Sequence, residues 1–115
     1  MGLLERFFGK PVSTLSALEL QEKLKGGKRP FLLDVRQPEE FRLGHIAGAK
    51  LIPLGELGRR MNEVPKGREI VCICASGHRS VPAVRKLMAA GYSASSMKNG
   101  MIAWQSAKLP INKGM

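Results

Sequence analysis

Two short apolar runs interrupt the hydropathy pattern of the chain, FLLDV at 31–35 and EIVCICA at 69–75. Neither alternates with polar residues. A continuous apolar run of this length is what a strand buried on both faces requires, as in a parallel sheet. Elsewhere the apolar positions fall at helical spacing. In STLSALELQEKLKGG, 13–27, Ala17, Leu20 and Leu24 share one face, Ser16 and Glu19 match a capping box, and Gly26 marks the stop. PEEFRLG, 38–44, predicts a brief helix with Pro38 in its first turn and Gly44 at its close. Leu51 and Ile52 predict a second short strand ended by Pro53, and LGELGRRMNEV, 54–64, a helix weakened by two glycines. After 69–75 comes a glycine turn, then Val81, Val84, Leu87 and Met88 at helical spacing up to an expected left-handed cap at Gly91. A weak strand near 93–97 and a final helix around 102–107 complete the pattern.

Strands alternating with helices imply right-handed crossovers, so the fold class is α/β: a mainly parallel sheet of about five short strands with helices on both faces. The pattern predicts one domain over residues 13–115, preceded by a loosely held arm over 1–12. At 115 residues the chain is long enough for a core without staples.

Composition narrows the function classes. Nineteen basic residues against nine acidic give a net charge of +10. From Gly67 onward there are seven Lys or Arg and a single acid, Glu69. The cations stand singly, without interleaved aromatics, so no nucleic acid is expected, and the charge reads as a solvated face whose field draws in small anions. No apolar stretch is long enough to cross a bilayer, and the apolar segment of the start MGLLERFFGK is too short for a signal peptide, so a cytoplasmic protein is expected. Cys72 and Cys74, one residue apart, make no disulfide framework.

In parallel sheets ligands bind beyond the carboxyl ends of the strands. Two strand ends carry reactive groups: DVR at 34–36 and CASGHRS at 74–80. Cys74 ends a buried run, the chain turns through Gly77, and a helix begins near Arg79 or Ser80. Backbone N–H groups in such a turn form an anion nest with the positive end of a helix behind them, and a thiol at that focus is favoured as its nucleophilic thiolate. His78 and Arg79 add positive character. Cys72, inside the strand, reads as core, with a role in resolving an oxidised Cys74 as the alternative. Asp34 reads as a structural partner, and Arg36 as either structural or a guide for substrate. His45 reads as a structural hydrogen-bonding residue beside a turn, and Phe41 and Trp104 as core.

Three segments, in order, resemble the rhodanese family of sulfurtransferases in its single-domain form. LLDVRQPEEFRLGHIAGAKLIPL is similar to the first family signature, IVCICASGHRS to the active-site strand and loop, and KNGMIAWQSAKLPI to the closing signature. The resemblance implies that Cys74 carries sulfur as a persulfide, and that Ala75, Ser76, Gly77, His78, Arg79 and Ser80 form the loop around it. It places Asp34 and Arg36 near the pocket and implies no metal or cofactor. The implied partners are a small anionic sulfur donor, such as thiosulfate, and a thiophilic acceptor: cyanide in an assay, a thiol or protein cysteine in a cell. Two departures stand out. Asn99-Gly100 occupies the family's usual Gly-Gly, and Ala75 and Ser76 are uncharged where thiosulfate-preferring members often carry a cation. The rivals are a persulfide carrier with little turnover and a cysteine phosphatase or arsenate reductase. Phosphatase loops are Cys-x5-Arg, whereas Cys74 to Arg79 is one residue shorter.

Overall fold

The computed structural model describes residues 11–115, and the expectation of an arm falls mostly on residues 1–10, outside the described part. Five strands, β1 (Thr14–Leu15), β2 (Phe31–Asp34), β3 (Lys50–Leu51), β4 (Glu69–Ile73) and β5 (Ser93–Met97), form one sheet. Its order is β1-β5-β4-β2-β3 and every pairing is parallel. Five helices connect or follow the strands: α1 (Ala17–Lys25), α2 (Pro38–Leu43), α3 (Leu54–Arg60), α4 (Ser80–Ala89) and α5 (Gly100–Ser106). A 3-10 turn over Met61–Glu63 follows α3. No helix among the described residues is long and apolar enough to cross a membrane.

Each element has a local cause. Ser16 and Glu19 close the capping box of α1, with Ser16 Oγ accepting from the Glu19 N–H and Glu19 Oε1 from the Ser16 N–H. Gln37 and Glu40 do the same for α2, with Pro38 in its first turn. At the far end of α4, Gly91 (φ 89°) takes the expected left-handed position, and the N–H groups of Gly91 and Tyr92 bond back to the Met88 and Leu87 carbonyls. Met88 itself is exposed; the buried face of α4 runs through Ser80, Ala83, Val84 and Leu87.

The continuous apolar runs are explained by two cores, one on each face. Leu33, Ile70, Cys72 and Cys74 pack on one face with Leu57, Val84 and Leu87, from α3 and α4. Leu32, Val71 and Ile73 pack on the other with Leu20, Met101 and Trp104, from α1 and α5. Strand β1 is the one element absent from the sequence reading. Thr14 and Leu15 pair with Ser96 and Met97, a two-residue edge that carries no periodicity of its own. Val12, ahead of it, packs against the first core.

The chain leaves β2 towards β3 on one side and β4 towards β5 on the other. The connections diverge, and a crevice opens between the carboxyl ends of β2 and β4. DVR and CASGHRS meet there.

Candidate active site at the ends of β2 and β4

Cys74 follows β4 directly and its loop runs into α4 at Ser80. Gly77 carries the turn at φ 97°, and a Cβ there would sit 3.1 Å from the Asn99 nitrogen, so both conformation and space favour glycine. The turn folds two amides back onto the thiol: the N–H of Gly77 donates to Cys74 Sγ at 3.1 Å and that of Ser80 at 3.3 Å. The second amide belongs to the first residue of α4, so the positive end of a ten-residue helix faces the sulfur. Ser80 Oγ lies 3.5 Å from Sγ.

The other face of the loop is fixed by α5. The N–H groups of Met101 and Ile102 donate to the carbonyls of Cys74 (2.8 Å) and Ala75 (3.0 Å). These are two of the four N–H groups that the start of any helix leaves unpaired, so the strand end caps α5. In a trans peptide the N–H points opposite to its C=O. The amides of Ala75 and Ser76 are therefore turned away from α5, which packs on the face opposite the Cys74 side chain. Asn99-Gly100 makes the approach close enough. Asn99 is left-handed (φ 60°), a conformation Asn accepts better than most residues. A Cβ on Gly100 (φ 55°) would overlap the Cys74 carbonyl and lie 2.6 Å from that of Ala75.

Asp34 and Arg36 form a buried pair at the neighbouring strand end. Arg36 donates through Nε and a terminal nitrogen to the two Asp34 carboxylate oxygens at 2.8–3.2 Å, and onward to the Gly44 carbonyl at 2.8 Å and that of Glu40 at 3.4 Å. The pair ties β2 to the middle of α2 and to its C-cap, and these donors are engaged within the protein. Arg79 is held from outside the loop, forming a two-pronged ion pair with Glu40 of α2 at 2.7 Å on each prong. Its partner's carboxyl is lowered to about 2, chiefly by the Arg79 hydrogen bonds. Sequence reasoning did not single out Glu40; its capping role at the start of α2 masks a second one, the clamp on the loop. Exposed His78 turns sideways, with Nδ1 2.8 Å from Ser76 Oγ. His45 is structural: its ring stacks on Phe41 at 3.7 Å, and Nδ1 meets the Phe41 carbonyl at 2.8 Å.

The two thiols differ in surroundings. Cys72 is walled into the core, and burial, with the neighbouring Cys74 second, pushes its thiol up to about 12. Cys74, although it stands at a strand end, is also 0% exposed, because the loop amides close over Sγ. Beside Ala75 a cavity of about 230 Å³ is bordered by Arg36, Glu40, Leu43, Met101 and Ile102. A larger depression, about 690 Å³, lies at the opposite, amino end of the strands among Lys28, Arg29 and Arg68, away from either thiol. Among the described residues no group of three His, Cys, Asp or Glu is placed to hold a metal ion.

The family model described as "Rhodanese-like domain" matches residues 16–107. A protein named "Sulfurtransferase" from Allochromatium vinosum is 36% identical over 101 residues, covering 87% of this chain and 94% of that protein. The "HTH-type transcriptional regulator Rv0324" of Mycobacterium tuberculosis is 35% identical over 108 residues, 92% of this chain but 47% of its own length. Among solved structures, a rhodanese-related protein from Thermoplasma volcanium superimposes with a TM-score of 0.81 at 30% identity, covering 87% of this chain and 97% of that one.

Proposed function

The chain belongs to the rhodanese-like domain family, and from that membership we propose that it is a sulfurtransferase whose working group is the Cys74 thiolate. One observation carries the proposal: the convergence of the Gly77 and Ser80 amides on Cys74 Sγ at the start of α4. These donors and the positive end of the helix stabilise negative charge on that sulfur when it acts as nucleophile or leaving group.

The chemistry needs two displacements. The Cys74 thiolate attacks the outer, sulfane sulfur of a donor such as thiosulfate. An S–S bond forms, the donor's own S–S bond breaks, and its electron pair leaves with sulfite. An acceptor nucleophile then attacks the outer sulfur of the Cys74 persulfide, and the Cys74 thiolate departs as leaving group. Cyanide serves in the assay; a thiol or protein cysteine is the cellular counterpart. The amides of Ala75 and Ser76, turned away from α5, supply donors for the outer sulfur as the loop moves off Sγ. A reducing compartment such as the cytoplasm suits the two free thiols.

The complete burial of Cys74 favours a second reading as well, that of a carrier that holds persulfide for one partner and turns over little. A phosphatase is disfavoured. The Cys-x4-Arg loop spends its amides on Sγ itself, and its arginine is clamped to Glu40 rather than open to an oxyanion.

Intact-mass spectrometry after thiosulfate treatment tests the proposal. The wild type and Cys72→Ala are expected to gain one sulfur, and Cys74→Ala none. A wild type that gains no sulfur, or a gain that survives loss of Cys74, overturns it. Low turnover to cyanide with a long-lived persulfide selects the carrier.

A further inference from the structure

We propose that Ser96, on β5, is a positioning residue for the Cys74 thiolate, acting through Ser80 as the far end of a buried hydroxyl relay. The proposal deepens the sulfurtransferase reading and takes its functional meaning from it.

Ser96 is a polar side chain in the interior of the sheet, 1% exposed and in register beside Cys72. Its Oγ lies 2.5 Å from Ser80 Oγ, and Ser80 is itself fully buried. Ser80 Oγ has two further neighbours, Cys74 Sγ at 3.5 Å and the Gly77 carbonyl at 3.2 Å.

Counting protons fixes the direction of the chain. A hydroxyl has one hydrogen to donate and lone pairs to accept with. In the thiol state, Cys74 S–H donates to Ser80 Oγ, and the Ser80 hydrogen goes to the Gly77 carbonyl, which can only accept. In the thiolate state the Ser80 hydrogen swings to Sγ, the stronger acceptor. In neither state does Ser80 have a hydrogen left for Ser96. The 2.5 Å contact is therefore a donation from Ser96 to Ser80 in both. A hydroxyl that accepts one hydrogen bond donates a stronger one. Ser96 thus strengthens the Ser80 hydroxyl as the third donor to the thiolate, beside the amides of Gly77 and Ser80.

Several charged or titratable groups surround Cys74. They are Arg79 and His78 on the loop, Cys72 on β4, Asp34 with Arg36 at the end of β2, and Glu40 on α2. Arg85 and Lys86 lie further along α4, and on α3 Glu56 is paired with Arg59 and Arg60. Strand β5 and helix α5 carry no titratable side chain. Removing the Ser96 hydroxyl changes none of these, so a shift in Cys74 ionisation reports on the relay.

The test is the pH dependence of Cys74 alkylation by iodoacetamide, read by intact mass, in the wild type, Ser96→Ala, Ser80→Ala and the double variant. Ser96→Ala is expected to raise the apparent pKa of alkylation by roughly half a unit to one unit, the scale of one hydrogen bond's contribution. In the Ser80→Ala background the same change is expected to add nothing. Ser96→Thr, which keeps the hydroxyl, is expected to follow the wild-type profile. A Ser96→Ala profile that superimposes on the wild type overturns the relay. So do Ser80 and Ser96 shifts that add, or a Ser96→Thr shift as large as that of Ser96→Ala. Alkylation needs no sulfur donor. A protein with the shifted profile but no persulfide would refute the sulfurtransferase reading and leave the relay standing.

Discussion

Cys72, in β4, and Cys74, the residue just after that strand, share a face and complete burial, and differ in what surrounds their sulfurs. Around Cys72 is apolar packing, and around Cys74 are two N–H groups and a hydroxyl. The elevated thiol of Cys72 argues against a resolving role, because the thiolate is the form that attacks. Glu40 is the second residue whose surroundings decide its part. Arg79 lowers its carboxyl to about 2 from an ordinary 4.5. A lowered folded-state pKa stabilises the fold at pH above the unfolded value and loses that contribution as pH falls through the folded one. The clamp should therefore be at full strength above about pH 4.5 and fade towards pH 2. Urea unfolding of the wild type and Glu40→Gln should differ by at most about 1 kcal/mol near neutral pH, since the pair is partly exposed, with the gap narrowing below pH about 4.5. A gap that stays constant down to pH about 3 would show that the ion pair contributes nothing.

At the scale of elements, the candidate site is a joint between a strand and two helices. Helix α4 presents its amino end to Cys74 Sγ, while α5 presents its own to the Cys74 and Ala75 carbonyls. The Cys74–Ala75 and Ala75–Ser76 peptides are gripped by α5 through their carbonyls and turn their N–H groups to the opposite side. Gly100 is the weakest point of this joint, because its backbone lies against the strand end with no room for a methyl group. Gly100→Ala is expected to cost about 1–3 kcal/mol of stability, the range for a residue held in strained backbone. It should also lower the rate of Cys74 sulfur loading at least tenfold by pushing the loop away. Chemical denaturation and the thiosulfate mass assay read the two effects separately. Loading at the wild-type rate would mean that the α5 contact does not shape the loop.

At the scale of the whole molecule, the net charge of +10 becomes an effect on encounter. A field of that sign attracts a dianionic donor and is screened by salt, over about 10 Å at 0.1 M ionic strength. The second-order rate of sulfur loading from thiosulfate should fall several-fold between low and high salt, whereas alkylation of Cys74 by neutral iodoacetamide should stay flat. Equal salt dependence of both would assign the effect to the loop rather than to the field. The charge is a sum over the chain, and so is legible without a structure. So are most elements, because helical periodicity, capping pairs and continuous apolar runs are local signals. The α/β class, the strands at Phe31–Asp34 and Glu69–Ile73, and the loop from Cys74 to Arg79 were all readable this way. Strand β1 was not: two residues have no period, and only pairing with β5 makes them a strand. The Glu40 clamp, the α5 amides on the loop and the Ser96 hydroxyl were hidden for the same reason. Each joins residues distant in sequence, and a hydrogen bond is decided by direction and a few tenths of an ångström, which only the packed sheet and helices set. Residue order alone places a thiol, a carboxylate and two guanidinium groups at the strand ends; which groups face the Cys74 sulfur is set by folding, because only the packed chain brings their donors within hydrogen-bond reach.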